Sequence, residues 1–120
     1  MKIAVPTMGR KGLDEDVGQH FGRVPTYTIV DTETNDVKVI NNTSQHMGGQ
    51  GYPPEIMQGE GVEVMLCSGL GPRAITMFED FGIDVFVGAA GTVKDAVDAW
   101  EKGKLQEATD ANACREHRHH

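Results

Sequence analysis

The chain has 120 residues, 38% of them hydrophobic, with 11 Lys and Arg against 18 Asp and Glu for a formal net charge of −7. That size suits one domain with one core, and the acidic balance argues against binding nucleic acid or an anionic membrane surface, since both call for basic patches. No apolar run approaches the ~20 residues of a membrane span, the N-terminus has no signal-peptide hydrophobic region, and two cysteines without an export signal point to reduced thiols in a cytoplasm.

Residues 2–7, K-I-A-V-P-T, read as an opening strand with Pro6 near its end, where a missing N–H donor is tolerated. Residues 8–18 are rich in glycine and charge and predict a surface loop, with Asp14, Glu15 and Asp16 as a solvated turn. Next comes the tetrad H-F-G-R, His20 to Arg23. Residues 27–32 and 37–41 read as a hairpin about the turn formers 33–36. In the second arm Val37 and Val39 alternate with Lys38, which exposes one face and predicts a sheet edge. Residues 42–52 hold three glycines, His46 and Met47, so a mobile connection is expected that could cover a metal site. A short helix over 53–58 starts on proline and stops at Gly59.

From there the chain repeats. G-V-E-V-M-L at 61–66 recurs as G-I-D-V-F-V at 82–87, and the next unit boundary, Gly103, follows at the same 21-residue interval. Each unit is a strand, a glycine-containing turn and a helix. The first helix, 72–81, carries Ala74, Ile75, Met77, Phe78 and Phe81. The second has Val93, Ala96, Val97 and Trp100 at i, i+3, i+4 and i+7, with Thr92 as its N-cap and Asp95 three residues on. Consecutive βα units give parallel strands. With the antiparallel pair they make a mixed α/β sheet flanked by helices, with the turns 68–71 and 88–91 side by side at one end.

Cys67 ends the first repeat strand and precedes the Gly-rich turn Ser68-Gly69-Leu70-Gly71 and a helix opened by Pro72. In open α/β sheets, ligands sit at that edge, and a helix start favours the thiolate. The equally open alternative is a small buried apolar filler. Cys67 aligns with Gly88 in the second unit, so the repeat itself does not demand a thiol.

Cys67 and Arg73 also form C-x5-R between a strand and a helix, the spacing of thiol phosphatases and sulfur-transfer enzymes, in which backbone N–H groups and an Arg hold an oxyanion. Against this, Pro72 removes a donor from the nest, and Ala74 offers no hydroxyl to the leaving thiolate. Residues 104–120 form a polar tail with no apolar period, ending in Cys114, His117, His119 and His120. Thiolate and imidazole suit zinc, copper or iron–sulfur chemistry.

Taken together, M-K-I-A-V-P-T, H-F-G-R-V-P-T-Y-T-I-V-D, the Gly-rich segment, G-V-E-V-M-L-C-S-G-L-G-P-R-A and G-I-D-V-F-V-G-A-A-G-T-V-K-D-A-V resemble the dinitrogenase iron–molybdenum cofactor biosynthesis family of NifX-like domains, over about residues 1–103. That family includes the orange protein, which carries a molybdenum–copper sulfide cluster. The resemblance implies an RNase H-like fold: a five-stranded mixed sheet of order 3-2-1-4-5 with strand 2 antiparallel. It also implies a non-catalytic cytoplasmic protein that carries or stores an iron–sulfur or mixed iron–molybdenum sulfide cluster or its precursor, with cluster donor or acceptor proteins as partners.

On this reading residues 1–103 form the cofactor-binding domain and 104–120 a Cys/His-containing tail. The expected cofactor-binding residues are His20, Cys67, Gly69, Gly71 and Gly91. The candidate metal ligands are His20, His46, Cys67, Cys114 and His117. Two other readings stand beside it: an enzyme with Cys67 as nucleophile and Arg73 as oxyanion clamp, and an interaction domain that keeps the fold without the ligand.

Overall fold

The structure is a computed structural model that describes residues 1–19, 23–42 and 53–108. Its strands are β1 (Lys2–Thr7), β2 (Thr26–Asp31), β3 (Val37–Asn41), β4 (Val62–Cys67), β5 (Asp84–Val87) and β6 (Gln106–Ala108). Three helices, α1 (Pro53–Gly59), α2 (Pro72–Asp80) and α3 (Val93–Glu101), join the later strands. One sheet holds all six strands in the order β3-β2-β1-β4-β5-β6. β1, β4 and β5 run parallel, whereas β2 and β6 are antiparallel to their neighbours. As its alternating pattern predicts, β3 is an edge strand, and Val37 on it is exposed.

The expected five strands are therefore six. Val85, Phe86 and Val87 pair with Ala108, Glu107 and Gln106, so the sheet continues past Gly103 into the stretch expected to be a tail. Only Ala108 of β6 is buried, in the core cluster that also holds Val85. A three-residue strand with one apolar side chain has no period to read.

The sheet is covered on both faces. Ala4, Met65 and Cys67 pack with Met57 of α1 and with Ile75 and Phe78 of α2. Ile3, Val5, Val64 and Leu66 pack with Val93, Ala96 and Val97 of α3. Burial on both sides is why β1 and β4 read as nearly unbroken apolar runs rather than alternating ones.

The 21-residue repeat has one backbone cause. Gly61, Gly82 and Gly103 have φ of 81°, 75° and 73°, the left-handed region in which a Cβ is strained. Each donates its N–H to the carbonyl three residues back, on Gln58, Glu79 and Trp100 respectively. Each of the three α-helices is thus followed by a left-handed glycine, which turns the chain towards the next strand.

Candidate functional site

The carboxyl edge of the sheet is shaped by an early end to one ladder. β1 pairs with β2 as far as Thr7, but with β4 only as far as Ala4↔Met65. Pro6 has no N–H to continue the pairing, and its carbonyl accepts the Gly18 N–H at 2.8 Å. Segment 16–18 thus lies along the end of β1. It forms an antiparallel bridge Thr7↔Val17 on one side and Asp16↔Thr92 on the other. The Val17 N–H donates to Gly91 O at 2.9 Å, and the Val93 N–H to Glu15 O at 2.9 Å. The loop after β1 is in this way joined to the turn before α3, beyond the end of β4.

This loop is more ordered than a solvated turn. Glu15 is buried, and its carboxylate accepts the Lys11 N–H at 3.1 Å and the Asp16 N–H at 3.0 Å. Two glycines make the fit possible. A Cβ on Gly9 would stand 2.5 Å from Glu15 Oε1, and one on Gly18 would stand 2.2 Å from Val24 Cγ1. Beneath lie three buried hydroxyls, with Thr7 Oγ1 2.7 Å from Thr26 Oγ1 and 3.0 Å from Thr28 Oγ1. Thr26 donates its one proton to Gly9 O at 2.6 Å. The protons then run from Thr28 to Thr7 to Thr26 to the loop carbonyl, because each hydroxyl has one to give.

Beside this loop opens a cavity of about 370 Å³ lined by Met8, Asp16, Val17, Gln19, Arg23 and Val24. Met8 is the most exposed of the large apolar side chains among the described residues, at 56%. Val24 also belongs to the core cluster that holds Cys67, against which Leu70 packs. Because β1 and β4 run parallel, the cavity beside the loop after β1 and the turn after β4 lie at the same end of the sheet.

The two βα turns lie side by side, as their repeat predicts. The Ser68 hydroxyl donates to Ala89 O at 2.8 Å, and the Gly88 N–H to Ser68 O at 3.1 Å. Their helix starts differ. α3 is closed by a capping box in which Asp95 N–H donates to Thr92 Oγ1 and Thr92 N–H to Asp95 Oδ2. The Thr92 backbone N–H and hydroxyl hold the Asp95 carboxyl below its usual range. α2 starts on Gly71 with no side-chain cap, and a Cβ on Gly69 or Gly71 would meet nothing within 4 Å. Pro72 brings no N–H to this start, so its first donors are the Arg73 and Ala74 amides, which no side-chain cap engages among the described residues; a helix start of this kind favours anions.

Cys67 is a correction. It continues the alternation of Met65 onto the face covered by α2, is 0% exposed and sits in the core cluster with Ile75 and Phe78. The turn begins one residue later, at Ser68. Burial pushes the Cys67 thiol up to about 12, the reverse of the thiolate expected at a helix start. In this arrangement the sulfur is packed as part of the core. The C-x5-R reading needs an exposed thiolate at this position, and burial disfavours one.

Gly91 has a structural role in what is described. At φ 80° its carbonyl is taken by Val17, and a Cβ there would lie 2.5 Å from Asp95 Oδ2. His20, His46, Cys114 and His117 lie outside the described residues. Gln19 and Arg23, the described neighbours of segment 20–22, both line the cavity. Among the described residues, no group of three or more His, Cys, Asp or Glu is placed to hold a metal ion, and no helix is long and apolar enough to cross a membrane.

The sequence reading passed over Met8 and Gln19, and treated Glu15 and Asp16 as solvated. The hydroxyl chain left one readable trace, Thr26 and Thr28 two residues apart in a strand otherwise suited to burial.

Residues 1–103 match the sequence model of the family described as dinitrogenase iron-molybdenum cofactor. An uncharacterized protein of Methanocaldococcus jannaschii, MJ0580, is 29% identical over 111 residues, covering 88% of this chain and 90% of its own. The apo form of the orange protein of Desulfovibrio gigas superposes with a TM-score of 0.80 at 29% identity, over 89% of this chain and 92% of that one. TM1290 of Thermotoga, in its NMR structure, gives 0.75 at 32% identity, over 88% and 91%.

Proposed function

The chain belongs to the dinitrogenase iron-molybdenum cofactor family, and from that premise we propose that it is a non-catalytic carrier or store for an iron–sulfur or mixed iron–molybdenum sulfide cluster or its precursor. The cargo is received at the carboxyl edge of the sheet, between the cavity beside β1 and the turn 68–71. The observation that carries this reading is the contrast between the helix starts. α3 supplies its own carboxylate cap, whereas α2 leaves its first amides uncapped beside two glycines that face open space.

Preassembled metal–sulfur clusters are anionic, and backbone N–H groups at a helix start suit them. Gly69 and Gly71 allow such a group to approach the backbone closely. His20 is the side chain proposed to ligate it. A site with few side-chain ligands also favours handing the cluster to an acceptor protein, since each ligand must be broken for release. The compartment proposed is the cytoplasm. The interaction-domain reading has no particular residue in its favour.

The test is anaerobic loading of the full chain with iron and sulfide, with and without molybdate, followed by gel filtration, metal analysis and an absorption spectrum. The reading expects metal and sulfide to co-elute with the protein, with retention reduced in His20→Ala. A colourless, metal-free protein after loading would overturn it.

A further inference from the structure

The cavity beside β1 holds two opposite charges, Asp16 and Arg23, on its walls. Neither side chain is engaged by another among the described residues, whose ion pairs join Met1 to Asp31 and Glu33, and Lys38 to Glu60. Both are held at the wall through their backbones. The Asp16 carbonyl accepts the Met8 N–H at 3.2 Å, the Asp16 N–H donates to Glu15 Oε2 at 3.0 Å, and Asp16 is bridged to Thr92. Arg23 precedes the buried Val24, whose carbonyl accepts the Asn42 side-chain amide at 2.8 Å. Met8 adds an exposed thioether, a polarizable surface suited to contact with a large, polarizable anion.

Resting on the carrier reading, we propose that Asp16 and Arg23 act on an anionic, sulfur-rich cargo with opposite sign. Arg23 draws the cargo into the cavity, and Asp16 limits its affinity so that it can be released. A site built only for storage would gain by losing the carboxylate, because a fixed negative charge at the mouth repels an anion. A site that must hand its cargo on is served by keeping it. Met8 and Val17 supply the contact that neither charge provides.

The experiment is anaerobic titration of the full chain with tetrathiomolybdate, a coloured sulfur-rich dianion, followed by absorption at low and at high salt. Asp16→Asn is expected to tighten binding about three- to tenfold, and Arg23→Gln to weaken it by a similar factor, both differences shrinking as salt screens them. Lys94→Gln, a charge change on the outer surface of α3, is expected to leave the affinity as it was. A merely structural role would move both cavity variants in one direction. Unchanged affinities, or two shifts of the same sign, overturn the proposal while leaving the carrier reading intact. If the wild-type chain does not bind the dianion, the proposal falls along with the seat for anionic cargo, while iron and sulfide loading tests the carrier reading separately.

Discussion

The Gly91 carbonyl accepts the Val17 N–H at 2.9 Å, and this one bond spans the loop after β1 and the turn after β5. The two segments meet beyond the end of β4, where the β1–β4 ladder has already stopped. Gly91 can make the bond because it sits at φ 80° with no Cβ to strike Asp95. Gly91→Ala should therefore destabilise the fold by about 1–3 kcal/mol, the cost of a strained left-handed residue. Urea unfolding measures it, and a loss below a few tenths of a kcal/mol would contradict the assignment.

The capping box gives a dependence on pH. The amide and hydroxyl of Thr92 lower the folded-state pKa of Asp95 below its usual 3.8, so the stabilisation is complete above that pH and is lost as pH falls below it. Thr92→Ala should cost about 1 kcal/mol near neutrality. The gap between wild type and variant should narrow on acidification, as read by thermal unfolding over a pH series.

Cys67 tests the burial argument directly. In a Cys114→Ser background, a disulfide reagent at pH 8 should label Cys67 slowly in the native state and fast in urea. The rise from 9.0 to about 12 corresponds to roughly a thousandfold fewer thiolates. The sign of the shift also matters in alkali. Because the folded pKa lies above the unfolded value, the thiol's contribution is intact below pH 9 and declines as pH rises towards 12. Cys67→Ala should therefore lessen the loss of stability in alkali, the buried Tyr27 hydroxyl, also raised, accounting for a further part above pH 10. Fast native labelling would show that the thiol reaches solvent after all.

The sixth strand makes a further prediction. A chain ending at Gly103 loses the partner of β5 and exposes its edge, a template for pairing with other chains. Compared with a chain ending at Ala108, it should unfold at a lower temperature and self-associate. Equal melting and equal elution on gel filtration would mean that β6 adds nothing.

Much of this architecture could be read from residues before any coordinates. The glycines at 61, 82 and 103 announced the repeat because only the left-handed backbone ending each helix requires them. The Thr92–Asp95 cap was legible because its bonds are local. Lys38 between two valines placed β3 at an edge. What stayed hidden depends on contacts distant in sequence or on parity within a strand. Cys67 and Ser68 are adjacent, yet one faces the core and the other the neighbouring turn, and only the register of β4 decides which. Glu15 looked solvated because its partners are backbone amides, which leave no mark in composition. β6 was invisible because the edge of β5, not any pattern of its own, gives it its structure. The cavity unites residues 8, 16–19 and 23–24 through a loop that folds back along β1, a path no periodicity encodes.

The central claim is that anionic cargo docks at one end of the sheet, between the loop after β1 and the uncapped start of α2. Amide chemical-shift mapping of the isotope-labelled full chain during titration with tetrathiomolybdate tests this most directly. The account predicts shifts at Met8, Asp16, Val17, Gln19 and Arg23 and at Gly69, Gly71 and Arg73, with Lys2, Asp31 and Glu60 at the opposite end unmoved. Shifts centred on those last three residues, or none at saturating dianion, would contradict it.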